Sequence, residues 1–226
     1  RPATRPLRGG ECMNLAGPQD EALEGFMGRG WREEEWLGMG ARGSVLKVRP
    51  KGGGKASALK RSTPEEVRAL QTLATCRNIV QLEEHFAGDR RGEVWARLEC
   101  LEGGTLRGMM RDQKPMRLSP DVTRFVLREI LKGLQDMHQM GWMHRDIKAE
   151  NIGVSDSCRS GTVTAGCALK LMDFDTATQV TPGKRLHEVI GTVENMAPEV
   201  WASSYDERAD CWSVGIVAYE VLFGYR

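Results

Sequence analysis

The chain has 226 residues, 32 Lys+Arg against 31 Asp+Glu for a formal net charge of +1, 40% hydrophobic residues, 26 glycines and 9 prolines. These proportions exclude a collagen-like chain and a wholly disordered one, and the charge balance gives no reason to expect nucleic acid or an anionic membrane as a partner. The cysteines, Cys12, Cys76, Cys100, Cys158, Cys167 and Cys211, form no C-x-x-C pair and no zinc spacing. They are expected as free thiols in a reducing compartment, cytoplasmic or nuclear.

Residues 1–30 mix Arg, Pro, Gly and Glu without apolar periodicity and read as a flexible tail. From Trp31 the character changes. Trp31–Leu37, Ser44–Val48 and Ala56–Lys60 are short segments separated by glycines, as in a meander of antiparallel strands, with Arg49–Lys55 as a Pro/Gly-rich turn. Between the first two lies Leu37-Gly38-Met39-Gly40-Ala41-Arg42-Gly43-Ser44-Val45, a G-x-G-x-x-G-x-V pattern. Glycines let backbone N–H groups close over phosphate oxygens without Cβ obstruction. In a dinucleotide-binding fold such glycines open a helix, whereas here the strand-like Val45-Leu46-Lys47-Val48 follows, so a loop between two strands is expected. Lys60 ends the third segment, where its ammonium can reach beneath that loop.

Thr63-Pro64-Glu65-Glu66 then starts a helix: Thr63 suits the N-cap, Pro64 the first helical position, and Glu66 closes a capping box. Val67, Leu70, Leu73 and Ala74 make its apolar stripe. Two more strand-like runs, Ile79–Phe86 and Val94–Cys100, precede the break at Glu102-Gly103-Gly104, and helices dominate afterwards. Ser119–Met140 is a long amphipathic helix with Val122, Phe125, Val126, Ile130, Leu134 and Met137 on one side. Small strands fit Asn151–Val154 and Ala168–Met172, with a polar insert holding Cys158 and Cys167 between them. Trp212–Tyr225, interrupted by Glu220, is too short an apolar run to span a membrane and reads as a buried helix. A strand-rich first part and a helix-rich second predict an α+β protein of two lobes, with a ligand between them.

Three further motifs carry chemistry: His144-Arg145-Asp146-Ile147-Lys148-Ala149-Glu150-Asn151, then Met172-Asp173-Phe174-Asp175, then Gly191-Thr192 followed by Met196-Ala197-Pro198-Glu199. With the glycine pattern and Ala58-Leu59-Lys60 they make five motifs in order, and from Trp31 to the last residue the chain resembles the eukaryotic-type serine/threonine protein kinases. The resemblance implies a bilobal fold: a small antiparallel β N-lobe with one main helix at 31–102, and a mainly helical C-lobe at 103–226 that is incomplete, since the family has more helices beyond this point. The run Tyr205–Ser213 most resembles the calcium/calmodulin-dependent group, although no calcium-binding loop is present.

The cofactors implied are ATP and Mg²⁺, and the activity implied is transfer of the γ-phosphoryl group to Ser/Thr hydroxyls of proteins. The resemblance puts Gly38, Gly40 and Gly43 over the phosphates and Lys60 on the α- and β-phosphates, with Glu66 as its partner and Glu65 as the fallback. Val45 and Ala58 would sandwich adenine, Glu99 and Leu101 would offer it backbone groups, and Leu98 would guard the back of the pocket. Asp173 and Asn151 would hold Mg²⁺, Asp146 would accept the hydroxyl proton, and Lys148 would neutralise the γ-phosphoryl group. Thr192 would tie Asp146 and Lys148 to the substrate-binding loop, and with Lys148 it indicates a Ser/Thr acceptor. Glu150 and Glu220 match acidic positions that receive a basic substrate residue, whereas Thr105 stands where another acid is expected.

Departures from the pattern shape the expectations. Asp175 replaces the glycine of Asp-Phe-Gly, and Glu66 is asked to serve both a capping box and an ion pair. The alternative reading is a pseudokinase, a nucleotide-binding or scaffold module. Arg145 needs an anion, and Glu188 stands where a phosphorylated residue supplies one in many such kinases.

Overall fold

The computed structural model describes residues 20–40, 43–161 and 166–224. Its strand-rich half is one antiparallel sheet of β1 (Trp31–Gly40), β2 (Gly43–Pro50), β3 (Ser57–Ser62), β4 (Leu82–Ala87) and β5 (Val94–Glu99), ordered β1-β2-β3-β5-β4. Facing partners Val45, Lys60 and Ala96 lie across β2, β3 and β5, and Lys47, Ala58 and Leu98 lie one step further along. Because strand side chains alternate, all six share one face of the sheet. Leu46, Val48, Leu59 and Trp95 point to the other, and there they bury together.

That second face corrects the expectation of a flexible tail through residue 30. Glu21–Gly28 forms a helix, α1, whose N-cap Asp20 accepts from the Leu23 N–H at 3.0 Å and from Arg61 Nη2 at 2.8 Å. Phe26 is fully buried, its ring 5.3 Å from that of Trp31 and 5.2 Å from that of Phe86, with Arg29 stacked over Phe26 and Phe86. One aromatic anchor on a short helix docks on rings from separate strands. Residues 1–19, the rest of the expected tail, lie outside the described residues.

The helix predicted after Thr63 is α2 (Pro64–Thr72), and Thr63 Oγ1 accepts from the Glu66 N–H at 3.0 Å as an N-cap. The strand expected at Ile79–Phe86 begins later, at Leu82. Ile79 instead forms an isolated parallel bridge with Leu171, and the Val80 N–H donates to Leu171 O at 2.9 Å, so this stretch ties the sheet to the second half of the chain.

The helical half contains α3 (Leu106–Arg111), α4 (Pro120–Gln139), α5 (Pro198–Trp201) and α6 (Arg208–Phe223), with two small ribbons. In one ribbon β6 (Trp142–Met143) pairs with β9 (Thr178–Gln179). In the other β7 (Ile152–Val154) pairs with β8 (Leu169–Leu171). Val126, Ile130, Leu134 and Met137 of α4 meet Leu169 and Leu171 of β8 and Val214, Val217 and Val221 of α6 in one core. The apolar run expected as a buried helix is therefore buried on one side: Trp212, Tyr219 and Phe223 of α6 are exposed. No helix among the described residues is long and apolar enough to cross a membrane.

The expectation of free thiols fails at one pair. Cys158 and Cys167 are joined in a disulfide, with Cα atoms 5.0 Å apart. Pairing of β7 with β8 brings the two ends of the polar insert together, which spacing alone does not reveal. With that bond present, the cysteine argument for a reducing compartment no longer stands. Cys76, Cys100 and Cys211 are free thiols, and Cys12 lies outside the described residues.

Candidate active site

The glycine pattern turns between β1 and β2, with Gly38 facing Val45 and Gly40 facing Gly43 in register. Gly43 has φ +132°, a backbone state that a side chain would strain. The strand-to-strand context expected for Gly38, Gly40 and Gly43 is thus met, and the dinucleotide alternative is excluded. Residues 41 and 42 at the tip lie outside the described residues. Val45 faces Lys60, so the ladder leads from the hairpin directly to the lysine.

Lys60 is buried among carboxylates: Nζ lies 2.9 Å from Glu66 Oε1, 2.8 Å from Asp173 Oδ1 and 3.4 Å from Asp175 Oδ2. Burial disfavours the ammonium, yet the charges of Glu66, Asp173 and Asp175 outweigh it and carry the pKa above the usual lysine value. Only half of the expected capping box forms, because the Glu66 carboxylate is taken up by other partners instead of the Thr63 N–H. The Glu66 backbone N–H serves the Thr63 cap, and the carboxylate takes Lys60, Ser62 Oγ (2.6 Å) and the Phe174 N–H (3.1 Å). Glu65, the fallback, is exposed.

A second network surrounds Asp146. Oδ2 accepts from Lys148 Nζ at 2.7 Å and Asn151 Nδ2 at 3.0 Å, and Oδ1 from the Thr192 N–H at 2.8 Å and Thr192 Oγ1 at 2.6 Å. Lys148 also donates to Thr192 Oγ1 at 2.9 Å. Burial would raise the Asp146 pKa, but the hydrogen bonds of Lys148 and Thr192 and the charge of Lys148 hold it below the usual carboxylate value. Asp146 is therefore an anion at neutral pH.

Asp210 and His144 hold this loop in place and were missed by sequence reasoning. Buried Asp210 of α6 accepts from the His144 N–H and the Arg145 N–H, each at 2.9 Å. These bonds support Arg145 at φ 68°, a costly conformation for a residue with a Cβ. His144 Nε2 is 3.1 Å from Met172 O, and its ring lies 4.9 Å from Phe174, which couples the Asp146 loop to the Asp173 turn. The available signal was an acid in the first turn of a largely apolar helix.

The segment after β5 packs on β7. The end of the Leu101 side chain occupies the space a Cβ on Gly153 would need, so a larger residue there would displace Leu101. The Glu99 N–H donates to Gln81 O, and Leu101 O accepts from the Gly104 N–H, each at 3.0 Å. Glu99 thus ends the β5 ladder and Leu101 opens the segment that leads on to Gly104. Ala58 and Leu98 face each other beneath the sheet on the same face as Val45.

The donor set also fits Mg²⁺. Asn151 directs its amide N–H groups to Asp146 Oδ2 and to Asp146 O (2.9 Å), which leaves its amide oxygen for a cation. The Met172 N–H donates to Asn151 O at 3.0 Å, so Asn151 adjoins the turn that carries Asp173. A carboxylate and an amide oxygen are the hard ligands this ion takes. The Asp173 pKa is lowered because Lys60, by charge and hydrogen bond, overcomes the effect of burial.

Asp175 behaves differently. Burial, reinforced by Glu66 and Asp173, raises its pKa from 3.8 to about 7 against the pull of Lys60. Between about pH 4 and 7 the native state thus holds a proton that the unfolded chain has released. The stabilisation from this group is full below about pH 4 and is lost as pH rises through 7. Asp175→Gly is therefore expected to gain in melting temperature relative to the parent on going from about pH 5.5 to about pH 8. Thermal melts of both proteins at the two pH values check this, and a difference that does not move with pH would sink it.

The anion expected for Arg145 is in place. Arg145 Nη1 lies 2.9 Å from Glu188 Oε2, and Nε donates to Thr176 O at 2.6 Å; the side chains are 9% and 71% exposed respectively. Tyr205 Oη donates to Glu188 O at 2.6 Å and Leu186 bridges Tyr205, so the segment bearing Glu188 is fastened from a second side.

Comparison with known proteins agrees with this geometry. The family model described as Protein kinase domain matches residues 31–226. Myosin-IIIa of Mus musculus is 33% identical over 215 residues, covering 84% of this chain and 13% of that protein. Calcium/calmodulin-dependent serine/threonine-protein kinase 1 of Oryza sativa subsp. japonica is 32% identical over 184 residues, 80% of this chain and 29% of that protein. Serine/threonine-protein kinase cst-1 of Caenorhabditis elegans is 35% identical over 196 residues, 83% and 37% respectively. The chain spans well under two thirds of each relative's own length.

Proposed function

This chain belongs to the protein kinase domain family, and we propose from that premise that it transfers the γ-phosphoryl group of ATP to serine or threonine hydroxyls of protein substrates. The observation that carries the reading is Asp146, an ionised carboxylate held on both oxygens by Lys148, Asn151 and Thr192. When bound, ATP supplies the phosphoryl group and Mg²⁺ the main charge neutralisation. Asp146 orients the acceptor hydroxyl and takes its proton. Lys148 would offer its ammonium to the transferred group. Lys60, kept in place by Glu66, would exchange Asp173 and Asp175 for phosphate oxygens. Gly38, Gly40 and Gly43 would admit the phosphates close to the backbone, and Asp173 and Asn151 would hold the cation.

The reading is tested by incubating the protein with Mg²⁺ and γ-labelled ATP in the presence of serine, threonine and tyrosine peptides. Label on serine or threonine is expected. Nucleotide binding without transfer would favour the pseudokinase reading, for which the observation is the hold of Asp175 on Lys60. Because that contact competes with phosphate for the ammonium, Asp175→Gly should show equal or higher turnover.

The Arg145–Glu188 pair extends the proposal to control. Glu188 supplies permanently, with one charge, the anion that phosphorylation supplies elsewhere with ~1.5 to 2. The phosphatase-treated protein should stay active, and Glu188→Ala should lose about fivefold, the factor carried by about 1 kcal/mol from a partly exposed pair. A parent silenced by phosphatase alone would refute this and shift attention to Thr176, Thr178 and Thr181.

A further inference from the structure

Arg107 of α3 is a buried cation, 7% exposed, that no step of the proposed reaction uses. Its Nε donates to Glu150 Oε1 at 3.1 Å, and its Nη2 pairs with Glu220 Oε1. Glu220 of α6 is 1% exposed. Glu150 is on the loop between Lys148 and Asn151, both of which touch Asp146, and its side chain is 39% exposed. An acceptor whose hydroxyl meets Asp146 must lay its neighbouring residues along this loop, and Glu150 is a carboxylate they meet there. One guanidinium set between two carboxylates from different elements is also how such a pair would grip an arginine of the substrate.

We propose that Arg107 is a specificity-determining residue, an internal cation that occupies the grip of Glu150 and Glu220, so that acceptor segments are not selected for a basic residue beside the acceptor. This rests on the kinase reading above and reverses the basic-residue preference implied by the family resemblance. The trio keeps a net charge of −1, so a weak, salt-sensitive attraction for basic peptides survives. The site for a second guanidinium does not.

The experiment measures kcat/KM for pairs of serine peptides that differ only by Arg or Ala at each residue shortly before the acceptor. For the parent, the Arg:Ala ratio is expected to stay within about threefold at every position, the scale of an exposed charge effect. In Arg107→Ala the ratio should rise by about tenfold at one position, the scale of a charge-assisted hydrogen bond. Adding Glu150→Ala should abolish the gain. A parent ratio above about tenfold, or no rise in an Arg107→Ala protein with the parent's circular dichroism, overturns the proposal. If Arg107→Ala fails to fold with Glu220 left uncompensated, Arg107→Ala with Glu220→Gln removes the buried charge and should still show the rise through Glu150. A parent that transfers phosphate to no peptide overturns the kinase reading and this proposal with it, whereas transfer with the wrong ratios overturns this proposal alone.

Discussion

Asp146→Asn is expected to lower phosphoryl transfer about 10³-fold, within the range that a positioned general base contributes. The carboxylate accepts from Lys148, Asn151 and both donors of Thr192. An asparagine amide would turn an N–H against one of these donors and could not take the acceptor's proton. Nucleotide binding should persist, since Asp146 acts on the acceptor side while Lys60 and Asp173 form a separate cluster. The checks are initial rates with a serine peptide and nucleotide binding by calorimetry on the same preparation. Near-parental turnover would show that the motif had been assigned wrongly.

Lys60→Met is expected to be as severe for turnover, about 10²–10³-fold, through loss of the cation aimed at the phosphates. It should also cost stability, by about 3 kcal/mol, since Glu66 is fully enclosed and its ammonium partner disappears. Ser62 Oγ and the Phe174 N–H still donate to Glu66, which keeps the cost at the low end and the fold intact. The double variant Lys60→Met with Glu66→Gln separates the two effects: denaturant melts should recover toward the parent while turnover stays low. Recovery of both would mean that Lys60 acts only as a structural cation.

Features that depend on residues a few positions apart were legible in the sequence. Thr63 caps α2 as expected, accepting from the Glu66 N–H, and the long amphipathic helix expected from Ser119 is α4. The strands around the glycine pattern and the order of the five motifs were equally clear, because turn chemistry and alternation are local. The residues of the two charged networks could be named through the family resemblance, each lying in a short motif of its own.

Other features required the packed molecule. Helix α1 has one deeply buried apolar side chain, Phe26, and it exists as a docked helix because β1, β4 and β5 bring Trp31, Phe86 and Trp95 beneath it. Ile79 left the predicted strand for a bridge to Leu171, and Cys158 found Cys167 through a ribbon that the insert itself interrupts. The choice of Glu66 between cap and ion pair was settled by Lys60 and by the Phe174 N–H, 108 residues away. Arg107 reads in the sequence as one more polar residue on a short helix, and only the approach of Glu150 and Glu220 makes it a candidate for control of specificity. The sequence by itself determined the kinase motifs and the elements that carry them, since caps, turns and strand alternation act over a few residues. Only the tertiary structure decided which buried charges meet, because a charge removed from water must find its partner wherever packing brings one, at whatever distance along the chain.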